Sequence, residues 1–369
     1  MIGELLFTFL DWLNQIPHFW WWLAFTFVKI GACIGLLLGM VAYTVVLERR
    51  VASFIQDRLG PNRSGPWGLL QPACDGIKAF LKEDFIPGGV HRFFYWLAPA
   101  ALMIPALMTL AVIPFGSNIG AQPMVIADLN VGLLYTFAVV SMSVYGIVLA
   151  GYAANSKYPF IGGLRASAQM ISYEGTMGLS IVPIFMLAGS ANLGAIIAWQ
   201  TTSPFHWGIV QAPVSAILFF IATLAEANRT PFDMAEAEQE LAGGYNVEYG
   251  AMKFALFFMA EYATVIMGSA IFVTLFLGGW SLPLPWLNAP AANSWLGILI
   301  GFIHIGIFLT KTSCMVFLIV WIRWMLPRLR FDQLMDLGWR KMMPLALCNI
   351  AFYALLLWGI AMFRRVFEI

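Results

Sequence analysis

Long runs of apolar residues recur along the chain, separated by shorter segments that hold most of its charged residues. A hydrocarbon layer about 30 Å thick is crossed by roughly 20 apolar helical residues. Eight runs come close to that length or exceed it, at 20–47, 93–115, 132–152, 173–190, 211–227, 250–277, 295–323 and 344–363. The runs are continuous rather than alternating, which favours membrane helices over the strands of a closed β-barrel. The pattern predicts an all-α, polytopic integral membrane protein.

The composition supports this assignment and narrows the class of protein. Charged residues make up 11% of the chain and hydrophobic residues 61%, which excludes an ordinary soluble globular domain. The formal net charge is only +1, and we expect the partners to be the lipid bilayer and other proteins rather than nucleic acid. We treat residues 1–369 as a single transmembrane domain.

The distribution of lysine and arginine predicts the orientation of the chain. Sixteen of the twenty lysine and arginine residues fall in four predicted loops, at 48–92, 153–172, 228–253 and 323–343. Loops rich in lysine and arginine remain on the cytoplasmic side of a membrane. We therefore expect these four loops to be cytoplasmic and both termini to be periplasmic.

The first of these loops contains a candidate surface helix. After Gly-Pro breaks at 60–61 and 65–66, apolar residues recur at helical spacing, namely Leu70, Ala73, Ile77 and Phe80. The charged residues Asp75, Lys78 and Lys82 fall on the other side. This pattern predicts a short amphipathic helix along the membrane surface, which either borders an opening for a lipid-soluble molecule or simply covers the bundle.

The third loop and the residues just before it are unusually acidic for such a hydrophobic chain. The segment AEANRTPFDMAEAEQE, at 225–240, carries five carboxylates and one arginine. Thr230, Pro231 and Asp233 have the spacing of a capping box, which predicts that a short helix begins there. Glu236, Glu238 and Glu240 are spaced by two and do not share one cap or one helical face. Grouped carboxylates bind and release protons near neutral pH, although a solvated acidic loop has the same composition.

Several ionisable residues fall inside or at the ends of predicted membrane helices, where such groups are energetically unfavourable and typically functional. Glu174 lies in the fourth helix, Glu226 ends the fifth and Glu261 lies in the sixth. Lys311, in the seventh, predicts either a buried salt bridge with an acid of a neighbouring helix or a proton relay. His304, on the same helical face, is typical of a hydrogen-bonded core histidine.

No cofactor motif is present in the sequence. Cys33, Cys74, Cys314 and Cys348 are scattered and lack both a C-x-x-C pair and a histidine at ligand spacing. The sequence also lacks a glycine-rich phosphate loop and a nucleophile elbow. We expect no metal or iron–sulfur centre in this chain.

Four long stretches resemble one family, the membrane subunit at the heel of respiratory complex I, in its bacterial form. They are LERRVASFIQDRLGPNRSGPWGLLQPACDGIKAFLKEDFIP, KYPFIGGLRASAQMISYE, EANRTPFDMAEAEQELAGGYNVEYGAMKFALFFMAEY and LPRLRFDQLMDLGWRKMMPLAL. Complex I is the proton-pumping NADH:quinone oxidoreductase of the bacterial inner membrane. The resemblance implies that this chain and two hydrophilic partners enclose a chamber where ubiquinone or menaquinone is reduced.

The resemblance also implies the origin of the electrons and the roles of particular residues. Iron–sulfur clusters and FMN belong to partner subunits, and antiporter-like and small membrane subunits lie alongside. The residues implied to face the quinone are Glu48, Arg49, Arg165 and Arg229. A carboxylate path is implied to start at the cavity edge and continue inward, through Glu236, Glu238 and Glu240 and then Glu226, Glu261 and Glu174. Tyr173 is a candidate hydrogen-bond partner of Glu174.

Three other functions are consistent with parts of the sequence. The equivalent membrane subunit of an energy-converting nickel–iron hydrogenase resembles this family without handling quinone. A stand-alone ion-coupled transporter would also place acids and lysines inside the membrane, but the two halves of the chain show no internal repeat. A passive scaffold requires no titratable groups at depth.

Overall fold

Twelve α-helices make up most of the described part of the chain in this computed structural model, which covers residues 18–119, 122–234, 243–282 and 295–366. In chain order they are α1 His18–Ile55, α2 Gln71–Leu81, α3 Arg92–Thr109, α4 Gly132–Ala153, α5 Lys157–Ala188, α6 Leu193–Thr201, α7 Gly208–Gln211, α8 Pro213–Glu226, α9 Ala251–Phe276, α10 Trp295–Met325, α11 Phe331–Asp336 and α12 Met343–Val366. Two short strands, β1 Asn118–Ile119 and β2 Gln122–Pro123, pair antiparallel.

Seven helical segments of the described chain are long and apolar enough to cross a membrane. Six of them lie in α1, α3, α4, α5, α9 and α10, and the seventh runs through α11, the π-helix Leu337–Met342 and α12. These segments confirm the prediction of an all-α, polytopic membrane protein.

The remaining predicted crossing, 211–227, corresponds to the shorter helix α8. With 14 residues, α8 extends only about 21 Å, against a hydrocarbon thickness of about 30 Å. Proline lacks a backbone N–H and suits the first turn of a helix, so Pro213 sets the start of α8, and α7 ends shortly before it, at Gln211. Hydropathy alone detects the whole apolar run and not this break.

One predicted loop, 153–172, is mostly helical. Helix α5 begins at Lys157, well before the predicted bound at residue 173, and continues to Ala188. Its first half combines lysine, arginine and glutamine with small residues that allow close packing. A Cβ atom at Gly162 would lie 2.9 Å from the Gly244 Cα, so the backbone of the third loop rests directly on α5. Packing between the two segments therefore extends this helix beyond the apolar run.

The core lies where α9 packs against α1, α3, α8 and α10. Helix α9 is the most buried of the candidate membrane spans. Its inner face includes Phe257, Val273 and Phe276, all fully buried. The helix is apolar along most of its length, and its N-terminal half and its C-terminal end carry the polar contacts described below.

The helix predicted in the first loop is confirmed as α2, between Gln71 and Leu81, and its place along the membrane surface stays a prediction. Gln71 lies at its start, accepts a hydrogen bond from Ser64 at 2.8 Å and donates one to Asp75 at 2.9 Å. Helix α2 packs beside α1 and α9, yet none of its residues is buried. Its apolar side chains remain open to lipid or to partner proteins.

Candidate functional site

A cavity of about 480 Å³ opens at the N-terminal end of α9. Helices α1, α9 and α10 and the loop after α8 form its walls together with residues 58–61. Glu48, Arg49, Arg229, Tyr262 and Arg323 supply most of its polar lining. Phe254, Phe258 and Trp324 supply apolar surface. Such a lining suits a mostly apolar molecule that carries a few polar atoms.

Glu48 links three helices at the inner wall of this cavity. It lies near the end of α1 and is 7% exposed. Its Oε2 accepts a hydrogen bond from the Tyr262 hydroxyl of α9, and its Oε1 forms an ion pair with Arg323 of α10. Because a buried carboxylate is stable only with such partners, these contacts also hold α1, α9 and α10 together.

Arg229 forms the next contact inward. It is 3% exposed and lies 3.3 Å, through its Nη2, from the Glu261 Oε2. Its guanidinium also lies 4.3 Å from the centre of the Tyr262 ring, within the range of a cation–π interaction. Glu261 in turn accepts a 2.6 Å hydrogen bond from the hydroxyl of Tyr245.

A single glutamine holds the loop that carries Arg229. Gln169 of α5 is fully buried, and its Nε2 donates to the carbonyls of Ala225 at 2.7 Å and Phe232 at 2.6 Å. It also lies 3.2 Å from the Asn228 side chain. The chain is thereby fixed on both sides of Arg229, which explains how a loop residue is positioned inside a membrane protein.

The predicted helix start at Thr230 is wrong, and the rest of the predicted short helix, at 235–242, lies outside the described residues. Residues 230–234 are not helical, and the Phe232 amide bonds to the Arg229 carbonyl at 2.8 Å. The Phe232 ring is buried 5.4 Å from the ring of Tyr173, which together with Gln169 keeps the backbone in this conformation. Tertiary contacts override the capping pattern here.

Together these contacts form a buried ion-pair chain, which we define as Arg323, Glu48, Tyr262, Arg229, Glu261 and Tyr245. Two arginines balance two glutamates, so the buried ion-pair chain is neutral when all four of these side chains are ionised. Electrostatic interactions are stronger at such a site than in water. A change of charge at the cavity therefore alters the electrostatic energy of the other side chains in the buried ion-pair chain.

The other predicted quinone-facing residues lie farther out. Arg49 lines the cavity, is about half exposed, and pairs with Asp75 of α2 at 2.9 Å. Arg165 lies on α5, and its guanidinium is 5.6 Å from the ring of Phe331 in α11. Arg165 is not among the residues that line this cavity.

Glu226 and Glu174 form a separate pair deeper in the bundle. Their carboxylates repel each other when both are ionised, and the Glu174 side chain is hydrogen-bonded to Ser141 of α4. Glu226 lines a smaller cavity of about 30 Å³, which has room for a water molecule. Tyr173 was predicted to bond to Glu174, and this is wrong because its hydroxyl donates to the Leu334 carbonyl at 2.8 Å.

Glu236, Glu238 and Glu240 lie outside the described residues. The structure therefore leaves their predicted place at the cavity edge as a prediction. Within the described ranges, no group of three histidine, cysteine, aspartate or glutamate side chains is arranged to bind a metal ion.

Lys311 and His304 have structural partners. The Lys311 ammonium donates to the carbonyls of Leu277 at 2.6 Å, Gly279 at 3.1 Å and Ser281. The predicted salt bridge is therefore wrong, because Lys311 caps the C-terminal end of α9. His304 is fully buried, and its Nδ1 lies 2.6 Å from the Ser117 hydroxyl, as expected for a hydrogen-bonded core histidine.

Residues 28–354 match the protein family described as NADH dehydrogenase. The chain belongs to this family. A subunit of the Geobacter metallireducens NADH-quinone oxidoreductase is 46% identical over 332 residues, which cover 89% of this chain and 95% of that protein. Subunit 8 of the Rhodothermus marinus NADH-quinone oxidoreductase is 43% identical over 352 residues, covering 95% and 99% of the two chains. A subunit of the Rickettsia canadensis NADH-quinone oxidoreductase is 48% identical over 320 residues, covering 87% and 90%.

In this member of the NADH dehydrogenase family, sequence reasoning missed three residues of the buried ion-pair chain. They are Tyr245, Tyr262 and Arg323. Tyr262 directly follows Glu261 in FFMAEYA, and a polar ring beside a membrane acid is a usable signal. Arg323 ends a long apolar helix, where an arginine ordinarily reaches the membrane surface, so no local pattern marked it.

Proposed function

We propose that this chain is the membrane subunit at the heel, also called subunit 1, of a bacterial proton-translocating NADH:quinone oxidoreductase. It forms the quinone chamber together with hydrophilic partners and couples quinone reduction to proton translocation. The observation that carries this proposal is the buried ion-pair chain at the wall of a cavity that mixes aromatic and charged surface. The named relatives and the NADH dehydrogenase family support the same assignment.

The chamber has walls suited to a quinone. Phe254, Phe258 and Trp324 contact the flat ring and its tail, while Arg49 and Arg229 lie at the polar side, where quinone oxygens require hydrogen-bond donors. Arg165 contributes from α5 toward the side where a partner closes the chamber. The hydrophilic iron–sulfur subunits complete the enclosure.

Reduction of a quinone to a quinol takes two electrons and two protons. The electrons arrive from an iron–sulfur cluster of a partner protein, after NADH is oxidised at FMN in another. The two protons come from groups at the chamber, including Glu236, Glu238 and Glu240. Adding negative charge near Arg229 weakens its attraction to Glu261, because the same guanidinium then balances a second anion.

This competition for Arg229 is the proposed first step of coupling. The weakened ion pair alters the charge balance at Glu261, and this change acts inward on Glu226 and Glu174, whose carboxylates repel each other. The antiporter-like and small membrane subunits beside this chain then respond to the change in charge at Glu226 and Glu174. The carboxylates act as a path for charge, and the chain itself holds no redox centre.

The orientation follows from the distribution of charge. The cavity, Arg229 and most of the lysine and arginine residues lie in or beside the four basic loops. We infer that these loops face the cytoplasm, where the hydrophilic subunits dock, and that both termini are periplasmic in the inner membrane. The whole chain then forms the heel of the membrane arm as one transmembrane domain.

The partners provide the most decisive test. The chain is affinity-purified from mild-detergent membranes, and proteins that remain in stoichiometric amounts are identified by mass spectrometry. We expect an NADH-oxidising flavoprotein, iron–sulfur subunits and antiporter-like membrane chains. A nickel–iron large subunit would instead move the protein to the hydrogenase branch, and a chain that purifies alone would exclude both functions.

The coupling step has its own test in Glu226→Gln, which removes one titratable carboxylate deep in the bundle. We expect fewer protons pumped per electron, measured in proteoliposomes together with quinone turnover. Asp336→Asn serves as a control, since its carboxylate is 41% exposed, pairs with Arg340 and does not line the cavity. If Glu226→Gln changes neither pumping nor turnover, the carboxylate path is withdrawn.

A further inference from the structure

Helix α2 is fixed in place by something other than a hydrophobic core. None of its eleven residues is buried, and Ile77, Phe80 and Leu81 are 59%, 73% and 82% exposed. Apolar surface that remains exposed contributes nothing to docking the helix on the bundle. With no fully buried apolar side chain, α2 relies on its polar contacts as well as on the packing of partly buried Pro72 and Ala79 for its position relative to the cavity.

Two ion pairs connect this region to the helices that form the cavity walls. Arg49 of α1 holds Asp75 of α2 at 2.9 Å. Lys253 of α9 holds Asp84, three residues beyond the end of α2, with its Nζ 2.7 and 2.8 Å from the two carboxylate oxygens. The Arg49 and Asp75 side chains are 46% and 39% exposed, so water screens this first pair.

The second pair is better built, because its lysine is enclosed. The Lys253 side chain is only 4% exposed. Its Nζ lies 3.9 Å from the ring centre of Trp96 and 5.0 Å from that of Tyr95, both in α3. The Tyr95 ring is itself fixed by a 2.8 Å bond from its hydroxyl to the Glu248 carbonyl. The faces of the two rings stabilise the Lys253 ammonium. Asp84 supplies the carboxylate that pairs with it.

The enclosed lysine is also directly linked to the cavity. Phe254, the next residue along α9, lines it, and α2 packs against the same helix. A shift of the segment after α2 away from Lys253 would therefore change the gap between α2 and the cavity wall. A methionine at position 253 has a similar length and no charge, so it would fill the space between the rings but lose the contact with Asp84. The ammonium is therefore needed for the ion pair, and the packing is not.

We propose that Lys253 is a positioning residue for quinone access: enclosed by Tyr95 and Trp96, it holds Asp84 and so keeps α2 beside the opening of the cavity. This inference rests on the proposed function, since it assumes that quinone enters beside α2. It concerns access and not the chemical step, so Lys253 affects the binding of quinone and leaves its reduction unchanged.

The test uses Lys253→Met in the whole complex, purified and returned to lipid. Hydrogen exchange of the backbone amides of α2 measures the tether directly, and we expect exchange at least tenfold faster than in the unaltered complex. We also expect the KM for a long-tailed quinone to rise at least threefold while kcat stays within twofold. Asp336→Asn is the control for the loss of an ion pair elsewhere on the surface. Asp336 is 41% exposed and pairs with Arg340, much as Asp84 is 39% exposed and pairs with Lys253.

Two further variants keep the test decisive. Asp84→Glu retains the charge and should behave like the unaltered protein, which a purely steric role would not predict. Asp84→Asn leaves the enclosed ammonium without its carboxylate and should free α2 at least as much as Lys253→Met. This variant supplies the result if the methionine variant does not assemble.

The outcomes separate the two proposals. Unchanged exchange in α2 overturns the tether, whatever the activity. Faster exchange with an unchanged KM for the long-tailed quinone overturns the access role. If the unaltered complex does not reduce quinone at all, the proposed function fails, while the exchange measurement still decides whether Lys253 holds α2.

Discussion

The N-terminal half and the C-terminal end of helix α9 make polar contacts of different kinds. In the N-terminal half, Glu261 and Tyr262 interact with other side chains, chiefly Arg229 and Glu48, beside an open cavity. At the C-terminal end, Lys311 and fully buried Gln200 interact with the backbone. A charged residue inside the membrane is therefore not in itself a mark of function, since the nature of its partners decides.

The C-terminal end is a saturated helix cap. The Gln200 amide donates to the carbonyls of Thr274 and Leu275 at 3.0 and 3.1 Å. Its oxygen accepts from the amides of Gly208 and Gly278 at 3.2 and 2.9 Å, which uses its full hydrogen-bonding capacity. Gly278 has a φ of 71°, a conformation that suits glycine at the end of a helix. The partners of both Gln200 and Lys311 are backbone groups, which do not titrate.

The N-terminal half holds ion pairs between side chains. Glu48 and Glu261 are each held by an arginine and a tyrosine hydroxyl, so loss of either partner leaves a buried charge without its counter-ion. The comparison predicts that variants at this end change activity, while variants at the other end change stability alone.

The largest effect is expected from breaking the pair of Arg229 and Glu261. Either Arg229→Met or Glu261→Gln leaves one buried charge without its counter-ion, which lowers the free energy of unfolding by about 3–5 kcal/mol. Quinone reductase activity should fall at least tenfold in both. Heat-induced dissociation of the complex measures the first effect, and turnover per assembled complex measures the second.

The double variant separates structure from activity. Carrying both substitutions removes both charges, so most of the lost stability should return while activity stays low. If activity returned along with stability, the pair would be a structural contact like the cap at the other end of α9, and the contrast between the two ends would be lost.

A smaller effect, on stability alone, is expected at the C-terminal end. Lys311→Met removes the donor to three carbonyls and should lower the free energy of unfolding by about 2–3 kcal/mol, as for hydrogen bonds that involve a charged group. Turnover and protons pumped per electron, normalised to assembled complex, should match the unaltered protein. A fall in pumping with intact assembly would restore the proton-relay interpretation of this lysine.

The sequence predicted the membrane spans well because hydropathy depends only on local composition. It did not predict the long first half of α5, where Gly162 packs against the third loop, or the short length of α8 after Pro213. Both depend on where helices meet or break. A hydropathy window averages over a break and contains no tertiary contacts.

The site was predicted in part for the same reason. Glu48, Arg229 and Glu261 were identified and do come together, since acids and arginines in or beside membrane helices are visible in a sequence. Their partners Tyr262 and Arg323 were not, because pairing across helices is a property of the fold. The sequence also suggested a salt bridge for Lys311, whose actual partners are carbonyls that no residue type reveals.

The smallest effect compares two buried tyrosines that differ only in their partners. Tyr262→Phe removes a hydroxyl bonded to the Glu48 carboxylate, and Tyr173→Phe removes one bonded to the Leu334 carbonyl. Tyr173→Phe should lower the free energy of unfolding by about 1 kcal/mol, and Tyr262→Phe by about 2 kcal/mol because its partner is charged. Only Tyr262→Phe should also slow quinone reduction, by about fivefold, because it weakens the transfer of charge between Glu48 and Arg229 while the ring remains under Arg229. Equal activity in the two variants would show that carboxylate and carbonyl partners are equivalent here, which is the opposite of what the two ends of α9 indicate.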